Sequence, residues 1–160
     1  ISNDFKAFFN FQKNFDAETA NLTIAGEKVI LCKPQTYMNL SGNSVLSLSS
    51  FYKIIPENIF VFYDDIDLDS AQFKYKIGGG HGGHNGLRSI DSKIGKNYHR
   101  IRLGVGRPDN PKMDVADYVL GNFTSNEEKI LSERLQIIYT NLDLLVKGEF
   151  EKFKINITKK

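Results

Sequence analysis

Apolar residues recur along this chain at two spacings, every second position or every third and fourth, and the places where one yields to the other divide it into elements. Phe5, Phe8 and Phe9 keep the helical i, i+3, i+4 spacing and predict that Ile1 to Phe11 is the tail of a helix. Weak alternation from Asn14 to Glu27, with Ala25-Gly26-Glu27 as a turn, predicts a short hairpin. Lys28 to Lys33 is a compact apolar run closed by Pro34, the pattern of a buried central strand. Helical spacing returns at Val45, Leu48, Phe51 and Tyr52, and beyond Pro56 the run Asn58 to Tyr63 forms a second apolar strand. Phe73 to Ile77 reads as a strand, Leu87 to Gly95 as a short helix and Tyr98 to Arg107 as an alternating strand. After a loop from Pro108 to Pro111, Asp114 to Leu120 is a short helix. Ser125-x-x-Glu128 is a capping box that opens the longest helix, with Leu131, Leu135, Ile138, Leu142 and Leu145 as its core stripe. The lysine-rich tail around Lys152, Lys154, Lys159 and Lys160 is expected to fray.

Strands alternating with helices predict an α/β fold, a three-layer sandwich around a mixed, largely parallel twisted sheet. No linker, repeat or low-complexity stretch interrupts the 160 residues, so a single domain spanning residues 1–160 is expected.

The densest turn chemistry lies in Gly78-Gly79-Gly80-His81-Gly82-Gly83-His84-Asn85-Gly86, between a strand and a helix. So many glycines fit a backbone that takes positive φ or approaches a ligand closely, which marks the loop as a site. It satisfies G-x-G-x-x-G, but a dinucleotide reading needs an acidic residue about 20 positions on. Between Asp91 and Asp109 the charged residues, Lys93, Lys96, Arg100, Arg102 and Arg107, are all basic, which argues against a nicotinamide cofactor. His81-x-x-His84 as a zinc pair is equally weak, because Cys32 is the one cysteine and no thiolate cluster supports it. No metal or cofactor is expected.

Composition narrows the partners. At 41% hydrophobic, with a net charge of +2 and a pI near 8.6, the chain can build a core but has no strongly basic field, so a nucleic-acid surface must be a local patch. His99, Arg100, Arg102 and Arg107 on the alternating strand, with Lys74 and Lys76, are its candidates, a solvated strand face being the alternative. A single cysteine fits a reducing compartment and so a cytoplasmic protein, and a monomer is expected. No apolar run approaches membrane-spanning length, so no membrane partner is expected. Asn-x-Ser/Thr triplets at Asn21, Asn39, Asn122 and Asn156 read as chance. The first residue is Ile1, which predicts a trimmed or partial chain.

Two strand ends carry chemistry. Asn39 and Ser41 follow the Lys28–Lys33 strand, where open α/β sheets place ligands, although helix capping is the commoner duty of both residue types. Asp64, Asp65, Asp67 and Asp69 close the second strand and must face solvent, a cation or basic side chains. A divalent-ion site and a solvated turn in which one Asp orients a histidine both satisfy that requirement.

Together these stretches resemble the bacterial-type peptidyl-tRNA hydrolase family. Lys33 to Gly42 (KPQTYMNLSG), Asp64 to Leu68 (DDIDL), Gly78 to Leu87 (GGGHGGHNGL) and Arg100 to Pro108 (RIRLGVGRP) match four of its motifs in order, over about Lys28 to Val119. The resemblance implies hydrolysis of the ester between a peptide and the 3′ ribose of tRNA, which returns tRNA to translation and rescues stalled ribosomes. It implies that Asp64 orients a catalytic imidazole, and that Asn39 and Asn85 position substrate carbonyls and the attacking water. Tyr37 would seat the tRNA 3′ end, His84 would wall the cleft, and Lys76 and Arg102 would meet phosphate. Asn39, Asn85 and Asp64 should therefore line one crevice. The family's glycine-rich GLGNPG turn and the His of its TRHN segment have no counterpart in residues 1–160, and His81, His84 and His99 do not take that place. The expectation is that this chain alone is inactive. A tRNA-binding module without chemistry is the alternative, and a metal-dependent hydrolase using Asp64, Asp67 and the loop histidines is a weaker one.

Overall fold

The computed structural model describes residues 8–108, 110 and 112–158, whose contacts group into two compact units: residues 8–60 with 76–99, and residues 61–75 with 100–158.

The first unit opens with β1 (Asn10–Gln12), β2 (Ala17–Ile24) and β3 (Glu27–Pro34), an antiparallel sheet in the order β1-β2-β3. β2 pairs with both neighbours, Asn10 lying opposite Thr19 on one side and Ala17 to Ile24 opposite Pro34 to Glu27 on the other. Its Ala17, Ala20, Leu22 and Ile24 are buried. The hairpin therefore joins β2 to β3, through Ala25 and Gly26 at φ 53 and 85. A two-residue turn with both central residues left-handed matches the natural twist of paired strands. The expected buried central strand over Lys28–Lys33 is instead an edge strand whose apolar residues are half-exposed, because the weakly alternating β2 occupies the middle of the sheet. Cys32 lies there, opposite Thr19, and burial pushes its thiol up to about 11.

Of the helix expected over Ile1–Phe11, residues 1–7 lie outside the described residues, and Asn10–Gln12 form β1. Pairing with β2 satisfies backbone groups that a single helical turn would leave open.

α1 (Ser41–Tyr52) and α2 (Asn85–Ile94) cross at a very short distance. The Gly42 N–H donates to Ser89 Oγ at 3.0 Å, and a Cβ on Gly42 would lie 2.3 Å from the Ser89 carbonyl oxygen. Ser44 Oγ donates to the Asp16 carbonyl, which ties α1 back to the sheet.

A second sheet, most of whose residues belong to the second unit, consists of β4 (Phe60–Asp65), β5 (Phe73–Ile77) and β6 (His99–Gly104), in the order β4-β6-β5. The Val105 N–H donates to Asp65 O and the His99 N–H to Ile59 O, so β4 and β6 run parallel. The Gly104 N–H donates to Gln72 O and the Gly78 N–H to Tyr98 O, so β5 runs antiparallel to β6. The fold is thus α/β with a mixed sheet, as the pattern predicts, but β4–β6 is the one parallel pairing among the described strands.

α3 (Val115–Val119), α4 (Ser125–Thr140), α5 (Leu142–Val146) and α6 (Phe150–Thr158) complete this unit. The capping box sits one residue earlier than predicted: Thr124 Oγ1 accepts from the Glu127 N–H, and Glu127 Oε2 accepts from the Thr124 N–H at 2.7 Å. Thr124-x-x-Glu127 and Ser125-x-x-Glu128 match the motif equally well, and only the backbone path chooses between them. The long helix breaks at Asn141, so of the predicted stripe Ile138, Leu142 and Leu145 are buried while Leu135 is exposed. Of the tail expected to fray, Lys152 and Lys154 lie in α6, anchored by the buried Phe153 and Ile157, while Lys159 and Lys160 lie outside the described residues. Arg134 staples these parts together. Its Nε donates to Ala71 O at 3.1 Å and its Nη2 to Ile157 O at 3.0 Å, with the guanidinium over the Phe73 ring.

Candidate active site

In the first unit the chain leaves β3 through Gln35 and Thr36 into a tight 3-10 turn, Met38–Leu40, that runs straight into α1. Tyr37, at the head of that turn, is 82% exposed and borders an open groove of about 520 Å³ lined also by Asp16, Gln35, Thr36 and Leu40. Asn39 is exposed and does not cap α1, whose N-terminus has no side-chain cap. Ser41 is likewise spent elsewhere, donating from Oγ to the Met38 carbonyl at 2.9 Å.

The glycine loop delivers the second carboxamide. Gly78, Gly79, Gly82 and Gly83 all take positive φ, between 56 and 92, a region closed to most side chains, so conformation accounts for the glycines. His84 then caps α2: its Nδ1 accepts from the Gly86 N–H at 3.1 Å and the Leu87 N–H at 3.2 Å. This leaves Asn85, the first helical residue, exposed and without a capping duty. The Met38–Leu40 turn packs against the start of α2, since a Cβ on Gly86 would lie 2.6 Å from Met38 Sδ. Asn39 and Asn85 thus sit on adjoining elements of one unit. Lys76 Nζ lies 3.4 Å from where a Cβ on Gly79 would stand, so its side chain covers the loop.

Asp64 belongs to the second unit, half-buried at the carboxyl end of β4. The neighbouring acids are matched to arginines. Arg102 Nε donates to Asp65 Oδ2 at 2.6 Å, a bond that holds the guanidinium charged more firmly still, and Arg107 Nε donates to Asp67 Oδ1 at 3.1 Å. Basic side chains, the third option for this run, therefore face Asp65 and Asp67.

The expected basic strand face needs correction. Arg100 is 0% exposed and His99 4%, because β6 lies between β4 and β5 and is covered on both faces. Arg102, 25% exposed at its side chain, and Arg107 remain as surface cations on this stretch. His99 stacks on Phe60 and donates from Nε2 to the Glu57 carbonyl at 2.8 Å. Burial holds this imidazole below its ordinary value, against the opposing pull of that bond. His81 Nδ1 accepts from the Gly83 N–H at 3.1 Å. All three histidines therefore serve the local fold.

A family model described as Peptidyl-tRNA hydrolase matches residues 1–160. The chain belongs to the peptidyl-tRNA hydrolase family. Among similar proteins, the peptidyl-tRNA hydrolase of Rickettsia akari (strain Hartford) is 50% identical over 157 residues, which cover 98% of this chain and 84% of that relative. That of Rickettsia africae (strain ESF-5) is 49% identical with the same coverage. A crystal structure of peptidyl-tRNA hydrolase from Acinetobacter baumannii matches with a TM-score of 0.91 at 36% identity, covering 98% of this chain and 80% of that one. Membership of the peptidyl-tRNA hydrolase family agrees with an α/β fold and no membrane-spanning helix among the described residues.

Three features of this site escape the sequence patterns: the imidazole cap on α2, the thioether against Gly86 and the Gly42–Ser89 crossing. Histidine is not a preferred N-cap residue, and a glycine required by a neighbour distant in sequence gives no local signal.

Proposed function

We propose that these residues form the substrate-handling part of an enzyme that hydrolyses the ester joining a peptide to the 3′ ribose of tRNA, releasing free tRNA for translation. The observation that carries the reading is the pair of exposed carboxamides, Asn39 and Asn85, on adjoining elements with neither engaged as a cap. A carboxamide can donate to a carbonyl oxygen that gains charge and accept from an attacking water, which is what ester hydrolysis asks of the protein. Tyr37 offers an exposed ring on which a 3′-terminal base stacks, and Lys76 and Arg102 meet phosphate. Asp64, in the second unit, orients the general base.

By the family resemblance that base is an imidazole whose segment has no counterpart in residues 1–160, a place that His81, His84 and His99 do not take. Residues 1–160 alone then bind peptidyl-tRNA without turning it over, the behaviour of a binding module. Added imidazole supplies the missing group.

The experiment measures affinity for an amide-linked peptidyl-RNA analogue, and turnover of the ester with and without imidazole. Asn39→Ala and Asn85→Ala should each weaken binding or lower imidazole-supported turnover, by about 10²-fold for a lost oxyanion donor. Asp64→Asn should abolish that turnover. Wild-type behaviour in all three variants refutes the site, and turnover without imidazole refutes the external base. Loss of imidazole-supported turnover in chelator would favour a metal-dependent reading through Asp64 and Asp67.

A further inference from the structure

The imidazole cap, the missing Cβ of Gly86 and the thioether of Met38 meet at one point, on residues that adjoin Asn39 and Asn85 in sequence. His84 ends the glycine loop in extended backbone, φ −65 and ψ 115, and its Nδ1 takes two N–H groups that an uncapped helix would leave open. A nitrogen that accepts two donors needs its lone pair, so the neutral ring carries its proton on Nε2. Gly86 follows Asn85. A Cβ there would lie 2.9 Å from His84 Cε1 as well as 2.6 Å from Met38 Sδ, so ring and thioether both occupy the space a side chain would fill. Met38 is held in turn by Ser41, whose Oγ donates to its carbonyl and lies 3.8 Å from its sulfur.

We propose that His84 and Met38 are positioning residues: the imidazole fixes the first turn of α2, and the thioether seats the Met38–Leu40 turn on Gly86, so that Asn39 and Asn85 are held at one spacing. The inference deepens the reading that both carboxamides handle substrate and rests on it. It differs from the role that family resemblance suggests for His84, because here the ring acts through the helix and need not touch the substrate.

The test replaces His84 with a side chain that caps and one that does not. Asn is among the best N-cap residues and Ala among the poorest. In His84→Asn, amide hydrogen exchange at Gly86 and Leu87 stays within about twofold of wild type, and so does affinity for the amide-linked peptidyl-RNA analogue. In His84→Ala, both amides exchange about five- to tenfold faster and affinity falls by a similar factor. Met38→Ala shifts the side-chain NH₂ resonances of Asn39 and Asn85, whereas Met38→Leu leaves them near their wild-type frequencies.

Unchanged exchange in His84→Ala overturns the cap, and unchanged resonances in Met38→Ala overturn the thioether's part. A His84→Asn variant that keeps its amides protected but binds as poorly as His84→Ala places the ring on the substrate and overturns the positioning role. If a variant does not fold, the long-range ¹H–¹⁵N spectrum of the wild-type imidazole still decides: a proton on Nδ1 rules the cap out. Failure of the wild-type chain to bind the analogue would count against the substrate reading alone, because the exchange measurements need no ligand.

Discussion

Replacing Gly42 with Ala drives a methyl group into the backbone of α2. The new Cβ would stand 2.3 Å from the Ser89 carbonyl oxygen, 2.6 Å from its carbon and 2.9 Å from the Ile90 nitrogen. Ordinary contact begins near 3.4 Å, and these are main-chain atoms inside a helix, so the helices must part by about 1 Å to relieve the clash. Overpacking of this kind costs about 1–3 kcal/mol. Separation also stretches the buried bond from the Gly42 N–H to Ser89 Oγ, costing about 1 kcal/mol more. Against this, alanine is the better helix former by about 1 kcal/mol. The balance is a loss of about 1–3 kcal/mol, or a fall in Tm of about 2–12 °C for a chain of this size. Urea denaturation followed by circular dichroism measures it, with Gly80→Ala as control because a Cβ there meets nothing within 4 Å and its φ is not positive. α1 also carries the Met38–Leu40 turn at its head, so the same variant should bind the substrate analogue more weakly than the control does. A Gly42→Ala protein as stable as wild type, or shifted no further than Gly80→Ala, would refute the close crossing.

Burial places the folded value of His99 below its unfolded 6.5, so the unfolded chain takes up that proton first as pH falls. This contribution to stability is whole above pH 6.5 and is lost as pH drops from there towards the folded value; the urea midpoint should fall across that window, and less so in His99→Gln. Arg134→Met should cost about 3–6 kcal/mol, since two hydrogen bonds from a charged donor disappear, and equilibrium unfolding would read it. Asp65→Asn releases Arg102 from its ion pair; if Arg102 meets phosphate, RNA affinity rises and the slope of log K against log salt steepens by up to about 1, whereas an unchanged slope would remove Arg102 from the interface.

What could be read beforehand follows from how locally each feature is determined. α2 and α3 lie almost where the pattern puts them, since apolar spacing and the glycines beyond their ends, Gly95 and Gly121, are carried by the segment itself, and the start of α2 is read two residues late because its cap is a histidine. The glycine loop is legible for the same reason, as a run of positive φ has few other ways to be encoded. The apolar run of β3 does not reveal its place in the sheet, because centrality depends on how many partners a strand finds, and among the described strands β2 lies between two neighbours while β3 does not. The burial of Arg100 is not legible either, because alternation alone cannot show that both faces of β6 are covered. At the site, Asn39, Asn85 and Asp64 were named from motif strings. Their supports were not, because Met38, Gly86 and Ser89 acquire meaning only once α1 and α2 cross.

Cys32 leads to a practical outcome. With its thiol raised to about 11, only about one molecule in ten thousand carries the reactive thiolate at neutral pH. Maleimide reagents should therefore pass it by while modifying a cysteine introduced on the surface. A fluorophore or spin label could then report on the Tyr37 groove in an otherwise natural chain, with no need to delete the native sulfur first.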